Sequence, residues 1–294
     1  MHARRLPSPE ERLRANFARA AVLLSYISCR EEKAKFSGTE LAKDDIALPP
    51  KPDSALPAIG RLDRSPRSLP GACPDGMAEH SNFCMDRFEG RLVYIEDGRP
   101  HPHFLRPVDF TKVRARSDFG AFPQGYLSQL ESATVCSNAG KRLCTLREWM
   151  EACTAGGKRR FPYGEGARGN ICNSGKGPHV MSLYHGGNHP GHYWDNNQFN
   201  DPILNVTHGY LARTGMHPEC VSERGESDLT GNLHEWVSDV GENGMGTFAG
   251  SCYSDNDMPC SYYAQVHARQ YHDYSTGVRC CSGKEGKNEK NRVH

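Results

Sequence analysis

Asp228-Leu-Thr-Gly-Asn-Leu-His-Glu-Trp236 is the most informative stretch of the sequence. Its two carboxylates, Asp228 and Glu235, bracket a Gly-Asn turn whose carbonyl groups can point inward. Calcium prefers oxygen ligands from carboxylates and backbone carbonyls in flexible geometry, so such a loop suits a hard cation. The alternative is a hydrogen-bonded Asx turn that holds no metal.

Two helices are predicted upstream of this segment. Tyr126 to Asn138 carries apolar residues at helical spacing, and Gly140 follows as a left-handed C-terminal stop. Thr145-Leu-Arg-Glu148 fits a capping box, and Gly156-Gly157 ends the helix that it starts. Beyond Thr154, short segments separated by Gly, Asn, Pro and Asp predict irregular loops with short strands. The predicted fold class is therefore α+β, rich in coil.

The composition argues against two classes of function. The chain has 294 residues, with 36 Lys plus Arg against 35 Asp plus Glu and a formal net charge of +1. No long-range field attracts a polyanion, so nucleic-acid binding is not predicted. No apolar run reaches the roughly 20 residues that a membrane-spanning helix needs. Twelve cysteines, with 30 Gly and 19 Pro, indicate a loop-rich fold in an oxidising compartment.

The N-terminal residues bear on that compartment. Five arginines precede the apolar stretch 20–27, and Ser28 and Cys29 follow at once. This pattern resembles a bacterial lipoprotein signal and predicts a lipid anchor at Cys29, the only membrane contact that we expect. The alternative is an amphipathic or disordered N-terminus. The predicted organisation is a lipoprotein signal at 1–29, a disordered tether at 30–71, a folded domain at 72–282 and a charged tail at 283–294.

Five short motifs occur in one order along the predicted domain. They are Ala139-Gly-Lys-Arg-Leu-Cys-Thr-Leu-Arg-Glu-Trp149, Phe161-Pro-Tyr-Gly164, Asp228 to Trp236, Ala249-Gly-Ser251 and Thr276-Gly-Val-Arg-Cys280. The series resembles the formylglycine-generating enzyme, or sulfatase-modifying factor, superfamily over about 72–282. The opening segments 73–77 and 83–89 also look like the start of bacterial members. The resemblance implies a variant of the C-type-lectin fold, with extensive coil stabilised by calcium and disulfides.

The resemblance also implies two calcium sites. It assigns the first to Asp228, Gly231, Leu233 and Glu235, the residues of the carboxylate-bracketed turn. The second would involve Asn170 and Ile171. Its remaining ligands cannot be aligned, and Asp195 and Asp201 are candidates.

The copper chemistry of the family depends on cysteine spacing. The authentic enzymes use two thiolates separated by four residues shortly after a Gly-Ser, because soft sulfur ligands favour Cu(I). Here Cys252 directly follows Ser251, and seven residues separate it from Cys260. His234 stands where those enzymes carry a Trp beside the oxygen pocket. The catalytic candidates are Cys252, Cys260 and Ser251. The altered spacing of the two cysteines favours disulfide formation over copper binding. Arg269 also matches the family pattern, but this match does not outweigh the altered spacing.

The cysteines can be paired almost completely. If Cys29 carries lipid, eleven remain in the domain, and this odd number leaves one unpaired thiol or an intermolecular bond. Cys73 and Cys84 are a local pair, and Cys172 with Cys220 completes the set. The resemblance implies that Cys136 joins Cys280, while Cys144 and Cys153 find partners among Cys281 and Cys260. Cys252 is then left over.

Two further groups have both a functional and a structural interpretation. His185-Gly-Gly-Asn-His189-Pro-Gly-His192 has the histidine density of a zinc or iron site, but its Gly and Pro spacers equally fit a polar surface loop. His267 and His272 could orient a ligand together with Asp273 and Tyr274. Alternatively, they form a structural polar cluster near the C-terminal cysteines.

Two classes of function remain. The first is a non-redox member of the superfamily, anchored on the cell envelope and stabilised by calcium, that binds a protein or glycan partner. The second is an oxygen-dependent metalloenzyme, with Cu(I) at the shifted cysteines or non-haem Fe(II) at histidines, that oxidises a protein cysteine or another small substrate. Resemblance of fold alone does not assign an activity.

Overall fold

The computed structural model describes residues 73–187 and 193–284. The predicted lipoprotein signal at 1–29, the predicted tether at 30–71 and nearly all of the charged tail lie outside the described residues. His189 and His192 do so as well. Within the described residues, no helix combines the length and the apolar character that crossing a bilayer requires.

Ten short strands of the described residues form three sheets. They are β1 Met77–Glu79, β2 Phe83–Asp86, β3 Gly90–Tyr94, β4 Val113–Ser117, β5 Arg142–Leu143, β6 His234–Val240, β7 Gly246–Ala249, β8 Tyr263–His267, β9 Thr276–Val278 and β10 Cys280–Gly283. One sheet has the order β1-β2-β10-β5, a second pairs β3 with β4, and the third has the order β8-β7-β6-β9. β6 and β9 run parallel, and the other pairs are antiparallel.

Short helices and long loops connect these strands, so the predicted α+β, coil-rich fold class is confirmed. The helices are α1 Gln129–Asn138, α2 Leu146–Cys153, α3 Val180–His185 and α4 Asn196–Phe199, with 3-10 helices at Phe110–Lys112 and Pro202–Val206. α3 and α4 were not predicted, because six and four residues are too few to establish a helical period in the sequence.

The first helix begins three residues later than its apolar spacing predicts. Ser128 is the N-cap: its hydroxyl accepts from the backbone N–H of Glu131 (3.3 Å), and the Glu131 carboxylate accepts from the backbone N–H of Ser128 (3.0 Å). Tyr126, with φ +62°, is outside the helix. The Ser-x-x-Glu spacing is the sequence signal that locates this start. Gly140 has the left-handed conformation that was predicted, with φ +70°.

The second helix starts with the predicted capping box. The Thr145 hydroxyl accepts from the N–H of Glu148 (3.2 Å), whose carboxylate accepts in return from the N–H of Thr145 (2.9 Å). The helix buries Trp149 and Cys153 against the sheet that contains β6 and β7.

Five disulfides close the fold. They are Cys73–Cys84, Cys136–Cys280, Cys144–Cys281, Cys153–Cys260 and Cys172–Cys220. The three pairs predicted individually are confirmed, and of the two arrangements left open for Cys144 and Cys153 the structure has Cys144–Cys281 with Cys153–Cys260. Cys252 is the one cysteine of the described residues outside a disulfide. The three longest loops span 144, 137 and 107 residues. A disulfide closing such a loop contributes about 4 kcal/mol through the entropy of the unfolded chain. This framework is typical of secreted and cell-envelope proteins.

Candidate functional site

A buried charge network surrounds the segment 228–236. Arg279, wholly inside the protein, donates from Nε and Nη2 to the carboxylate of Glu235 (2.9 and 2.6 Å). The same carboxylate accepts from the indole N–H of Trp149 (2.7 Å). Arg279 also donates to the backbone carbonyls of Asp86 (2.9 Å) and Ser227 (2.7 Å). Glu235 is thus fully engaged by protein groups.

Two more carboxylates face this ion pair. Glu89 accepts from the backbone N–H of Leu233 (3.0 Å), and Asp228 accepts through Oδ2 from the N–H of Gly215 (2.7 Å). Asp228 Oδ1 is buried without a hydrogen-bond partner. Burial, and then the negative charges of Asp228 and Glu235, hold the pKa of Glu89 well above its usual range. Burial likewise raises the pKa of Asp228 to about 6.

These contacts bear on the predicted first calcium site. The unpartnered oxygen of Asp228 is of the kind that a cation binds. Glu235, however, is paired with Arg279 and Trp149, so it could bind calcium only if these contacts rearranged. The turn also has a packing role: at Gly231, with φ +81°, a Cβ would lie 2.5 Å from the carbonyl oxygen of Asn173. Calcium binding by this segment stays a prediction.

The residues of the predicted second calcium site lie in separate local structures. Asn170 is exposed, with φ +66°, in the loop that also contains Ile171. The Asp195 carboxylate caps α4 by accepting from the N–H of Asn197 (2.8 Å). The Asp201 carboxylate caps the second 3-10 helix by accepting from the N–H of Ile203. Both aspartates therefore have helix-capping roles.

The pair of thiolates considered for copper is not present. Cys260 forms a disulfide with Cys153 (Cα–Cα 5.6 Å), so it offers no thiolate to a metal. The expectation of a copper site at Cys252 and Cys260 is corrected accordingly. The Ser251 hydroxyl, completely buried, accepts from the backbone N–H of Gly231 (3.0 Å) and so fixes the turn described above. Arg269 donates to the side chain of Gln129 (2.8 Å).

A different group forms around the remaining thiol. His234, Cys252 and Asp255 place a ring nitrogen, a sulfur and a carboxylate oxygen within 4.8 Å of one another. His234 is the first residue of β6, and Cys252 follows β7, the strand paired with β6. Asp255 closes a tight turn, in which its carboxylate accepts from the backbone N–H of Cys252 (3.1 Å). Cys252 and His234 are buried, whereas about a third of the Asp255 side chain (34%) is exposed.

The hydrogen bonds of His234 fix the orientation of its ring. Nδ1 lies 2.9 Å from the carbonyl oxygen of Gly250. A carbonyl only accepts, so Nδ1 carries a hydrogen and donates it. Nε2 then points toward the Asp255 carboxylate, at 3.1 Å, and toward the Cys252 thiol.

The charges of the three groups depend on one another. Burial disfavours an imidazolium, but hydrogen bonds to Asp255 and Cys252 outweigh it and hold the pKa of His234 well above its usual range. Burial would raise the pKa of Asp255, yet the contacts with His234 lower it. Burial raises the pKa of the Cys252 thiol, although His234 opposes the rise. Without a bound cation, the group is an imidazolium–carboxylate pair beside a neutral thiol.

Sequence reasoning found only part of this group. The sequence predicts Cys252 as the unpaired thiol and places His234 where the family has a Trp, but none of the family motifs connects these two residues or includes Asp255. The spacing Cys-x-x-Asp is the local signal that could have included Asp255, because such an aspartate can cap the turn that follows the cysteine. The approach of His234 depends on strand pairing, which has no local signal.

The other histidines have structural surroundings in the described residues. His267 stacks on Tyr271, with ring centroids 3.8 Å apart. His272 Nδ1 lies 2.6 Å from the side-chain oxygen of Asn200. Asp273 accepts from the backbone N–H of Ser275 (2.8 Å). These contacts support the structural polar cluster. His185 lies 3.4 Å from the Asp201 carboxylate.

The fold, the disulfides and the ordered motifs together define a sulfatase-modifying-factor domain. The family model described as the Sulfatase-modifying factor enzyme 1-like domain matches residues 107–291. The chain belongs to this family, and the recognition of the family from the motifs is confirmed, together with the C-type-lectin-like fold class that it implies. No match was found among curated protein sequences.

Several solved structures are similar at low identity. CarF is 14% identical over 68% of this chain and 86% of its own, with a TM-score of 0.41. The Major Tropism Determinant I1 variant is 12% identical over 74% of this chain, with a TM-score of 0.44, and this chain spans about half (55%) of it. PvdO from Pseudomonas aeruginosa is 14% identical over 69% of this chain and 80% of its own, with a TM-score of 0.39.

Proposed function

We propose that this chain is a binding module of the cell envelope, held there by a lipid anchor at Cys29, and that it does not generate formylglycine. The observation that carries the proposal is the Cys153–Cys260 disulfide. It leaves Cys252 as the only thiol of the described residues. A Cu(I) site of the family type needs two convergent thiolates, but Cys260, one of the two candidate cysteines, forms a disulfide instead.

The binding surface that we propose includes α3 and residues 193–195, directly before α4. Leu183 and Tyr184 on α3, and Tyr193 beyond it, are exposed apolar side chains in a part of the chain otherwise built of loops. Behind them, Trp194 stacks on His179 with ring centroids 5.0 Å apart. Exposed aromatic groups on a rigid support are typical of surfaces that bind a protein or a glycan.

An assay with copper tests the claim that the protein does not generate formylglycine. The full-length protein, loaded with Cu(I) and supplied with oxygen, a mild reductant and a Cys-x-Pro-x-Arg peptide, should leave the peptide mass unchanged. An authentic formylglycine-generating enzyme is the positive control. Copper-dependent conversion that disappears in both Cys252→Ala and Cys260→Ala would overturn the proposal.

The binding half is tested with purified envelope glycans. We expect the full-length protein to be retained on such a glycan. The double variant Tyr184→Ser/Tyr193→Ser should bind on the order of 30-fold more weakly, since two aromatic contacts of about 1 kcal/mol each are lost. Tyr263→Ser is the control, because Tyr263 on β8 is as exposed (45%) as Tyr184 (46%). An equal loss in the control and the double variant would contradict this surface, and retention on an immobilised envelope protein instead would identify a protein partner.

A second candidate function is favoured by the group around Cys252. An oxygen-dependent metalloenzyme requires clustered ligands, and His234, Cys252 and Asp255 supply three donor types. Oxygen consumption by the iron- or copper-loaded protein, with a cysteine peptide as substrate, tests this candidate. Consumption that is abolished by Cys252→Ser and retained in Asp257→Asn would favour the enzyme over the binding module.

A further inference from the structure

Three potential metal ligands converge on one point beside the end of β7. His234 Nε2 and Asp255 Oδ2 are 3.1 Å apart, and Cys252 Sγ completes a triangle with no side longer than 4.8 Å. In a tetrahedral zinc site, metal–ligand bonds of about 2.0–2.3 Å place neighbouring ligand atoms about 3.3–3.7 Å apart. To take up a zinc ion, the triangle needs only small side-chain movements, together with release of the Nε2 proton of His234 and the thiol proton of Cys252 to solvent.

The His234 ring is already oriented as a metal ligand. Metal-binding histidines generally donate the hydrogen of their second nitrogen to a carboxylate or a backbone carbonyl, which fixes the ring and its tautomer. The Nδ1–H donates in this way to Gly250, so Nε2 is the nitrogen presented to Cys252 and Asp255. The Asp255 carboxylate is fixed in turn by the N–H of Cys252.

We infer that His234, Cys252 and Asp255 form a binding site for a divalent cation of the zinc type. One nitrogen, one thiolate sulfur and one carboxylate oxygen are the mixed donors that Zn²⁺ accepts in tetrahedral sites. A single thiolate is a poor match for Cu(I), and the sulfur and nitrogen donors are a poor match for calcium. A thiolate and a carboxylate also balance the two positive charges of the ion.

The site is closed on one side and open on the other. Cys252 and His234 are buried, and the rings of Phe248 and Tyr262 lie 4.6 and 6.5 Å from the imidazole of His234. Asp255 is the one ligand with a substantially exposed side chain, so an ion enters from its side. Three protein ligands leave a fourth position for water or a bound group, as in zinc sites that interact with other molecules. Such an ion is compatible with a binding module and with an enzyme.

Cobalt and zinc binding to the full-length protein tests the site. The protein is purified without a histidine tag, without thiol reductant and after metal removal. We expect one equivalent of Zn²⁺ to bind. We expect Co²⁺ to produce the near-ultraviolet charge-transfer band of a thiolate–cobalt bond, which Zn²⁺ then abolishes. Since loss of a supporting residue weakens metal sites about 10–100-fold, Cys252→Ser and Asp255→Asn should weaken binding by on the order of 100-fold or more.

Matched variants separate this site from the alternatives. Asp257→Asn, two residues from Asp255, and Cys29→Ser should bind metal as the wild type does. His189→Asn/His192→Asn removes two histidines of the His-rich segment and should also have no effect. A missing thiolate–cobalt band in the folded wild-type protein would overturn the inference without relying on any variant. Zinc binding that survives Cys252→Ser and disappears in the double histidine variant would overturn it as well.

Discussion

Replacing Asp228 with asparagine should stabilise the folded domain above pH 6 and change little near pH 4. Asp228 is buried beside Glu89 and Glu235, and its Oδ1 has no hydrogen-bond partner. The asparagine side chain would keep an oxygen acceptor for the N–H of Gly215. Asparagine also tolerates the left-handed backbone at this position, where φ is +63°. The substitution thus removes a charge and retains the local structure.

The magnitude follows from the pKa of the buried carboxyl. A rise from 3.8 to about 6 corresponds to about 3 kcal/mol, at roughly 1.4 kcal/mol per pH unit. Between about pH 4 and pH 6, the folded state binds more protons at Asp228 than the unfolded state does. The contribution of this group to stability is therefore fully present below pH 4 and is lost as the pH rises through 6. About 3 kcal/mol is the upper limit of the gain from Asp228→Asn at pH 8.

Urea denaturation without reductant, followed by tryptophan fluorescence at pH 4 and pH 8, measures this difference. Asp97→Asn is the control, because hydrogen bonds from the backbone and side chain of Arg99 lower the pKa of that exposed aspartate, and its removal should give no gain at pH 8. A gain of equal size at both pH values would refute the reasoning. A loss of stability at pH 8 that disappears in EGTA would refute it too, and would show that Asp228 is ionised because it binds calcium.

Three further predictions concern the ion pair, a helix cap and the anchor. Glu235→Gln should cost about 3–5 kcal/mol in urea denaturation, equally with calcium or EGTA, because it leaves the buried charge of Arg279 unpaired; a loss confined to calcium buffer would contradict this. Thr145→Ala should cost about 1 kcal/mol by removing the cap of α2, and Thr145→Ser should restore most of it. Cys29→Ser should move the protein from the membrane fraction to the soluble fraction, since acylation of Cys29 would be its only anchor; wild-type protein already in the soluble fraction would count against the predicted signal.

Short sequence patterns predicted the parts of the fold that depend on contacts between residues close together in the sequence. The Thr145 capping box needs only four consecutive residues, and it was correct in both halves. Counting cysteines predicted one unpaired thiol, and the family resemblance implied the Cys136–Cys280 disulfide, but the partner of Cys144 was left open until the structure paired it with Cys281. The apolar spacing placed the start of α1 three residues too early, because the Ser128 cap determines where this helix begins. Side-chain spacing shows which face is buried, whereas the cap determines where the backbone turns.

The candidate site could be predicted only in part, because strand pairing assembles it. Antiparallel pairing of β6 with β7 sets Glu235 opposite Ala249, and this register brings His234 next to Gly250 and the Cys252 turn. Parallel pairing of β6 with β9 sets Trp236 opposite Val278, which brings Arg279 to Glu235. Neither register is visible in one sequence. Glu235 was consequently interpreted as a calcium ligand, although its partner lies 44 residues away.

The position of β10 has a consequence for how the protein is made. This strand, the last of the described domain, lies between β2 and β5, and its adjacent Cys280 and Cys281 bond to Cys136 and Cys144. The ribosome therefore delivers an interior strand and the cysteines of two crosslinks only after every other strand of the described residues. A nascent chain that has emerged as far as β9 still lacks the partner that joins its first strands to β5. A premature stop codon just after Arg279 should thus yield an unfolded chain that quality-control proteases remove, and not a shortened domain with partial function.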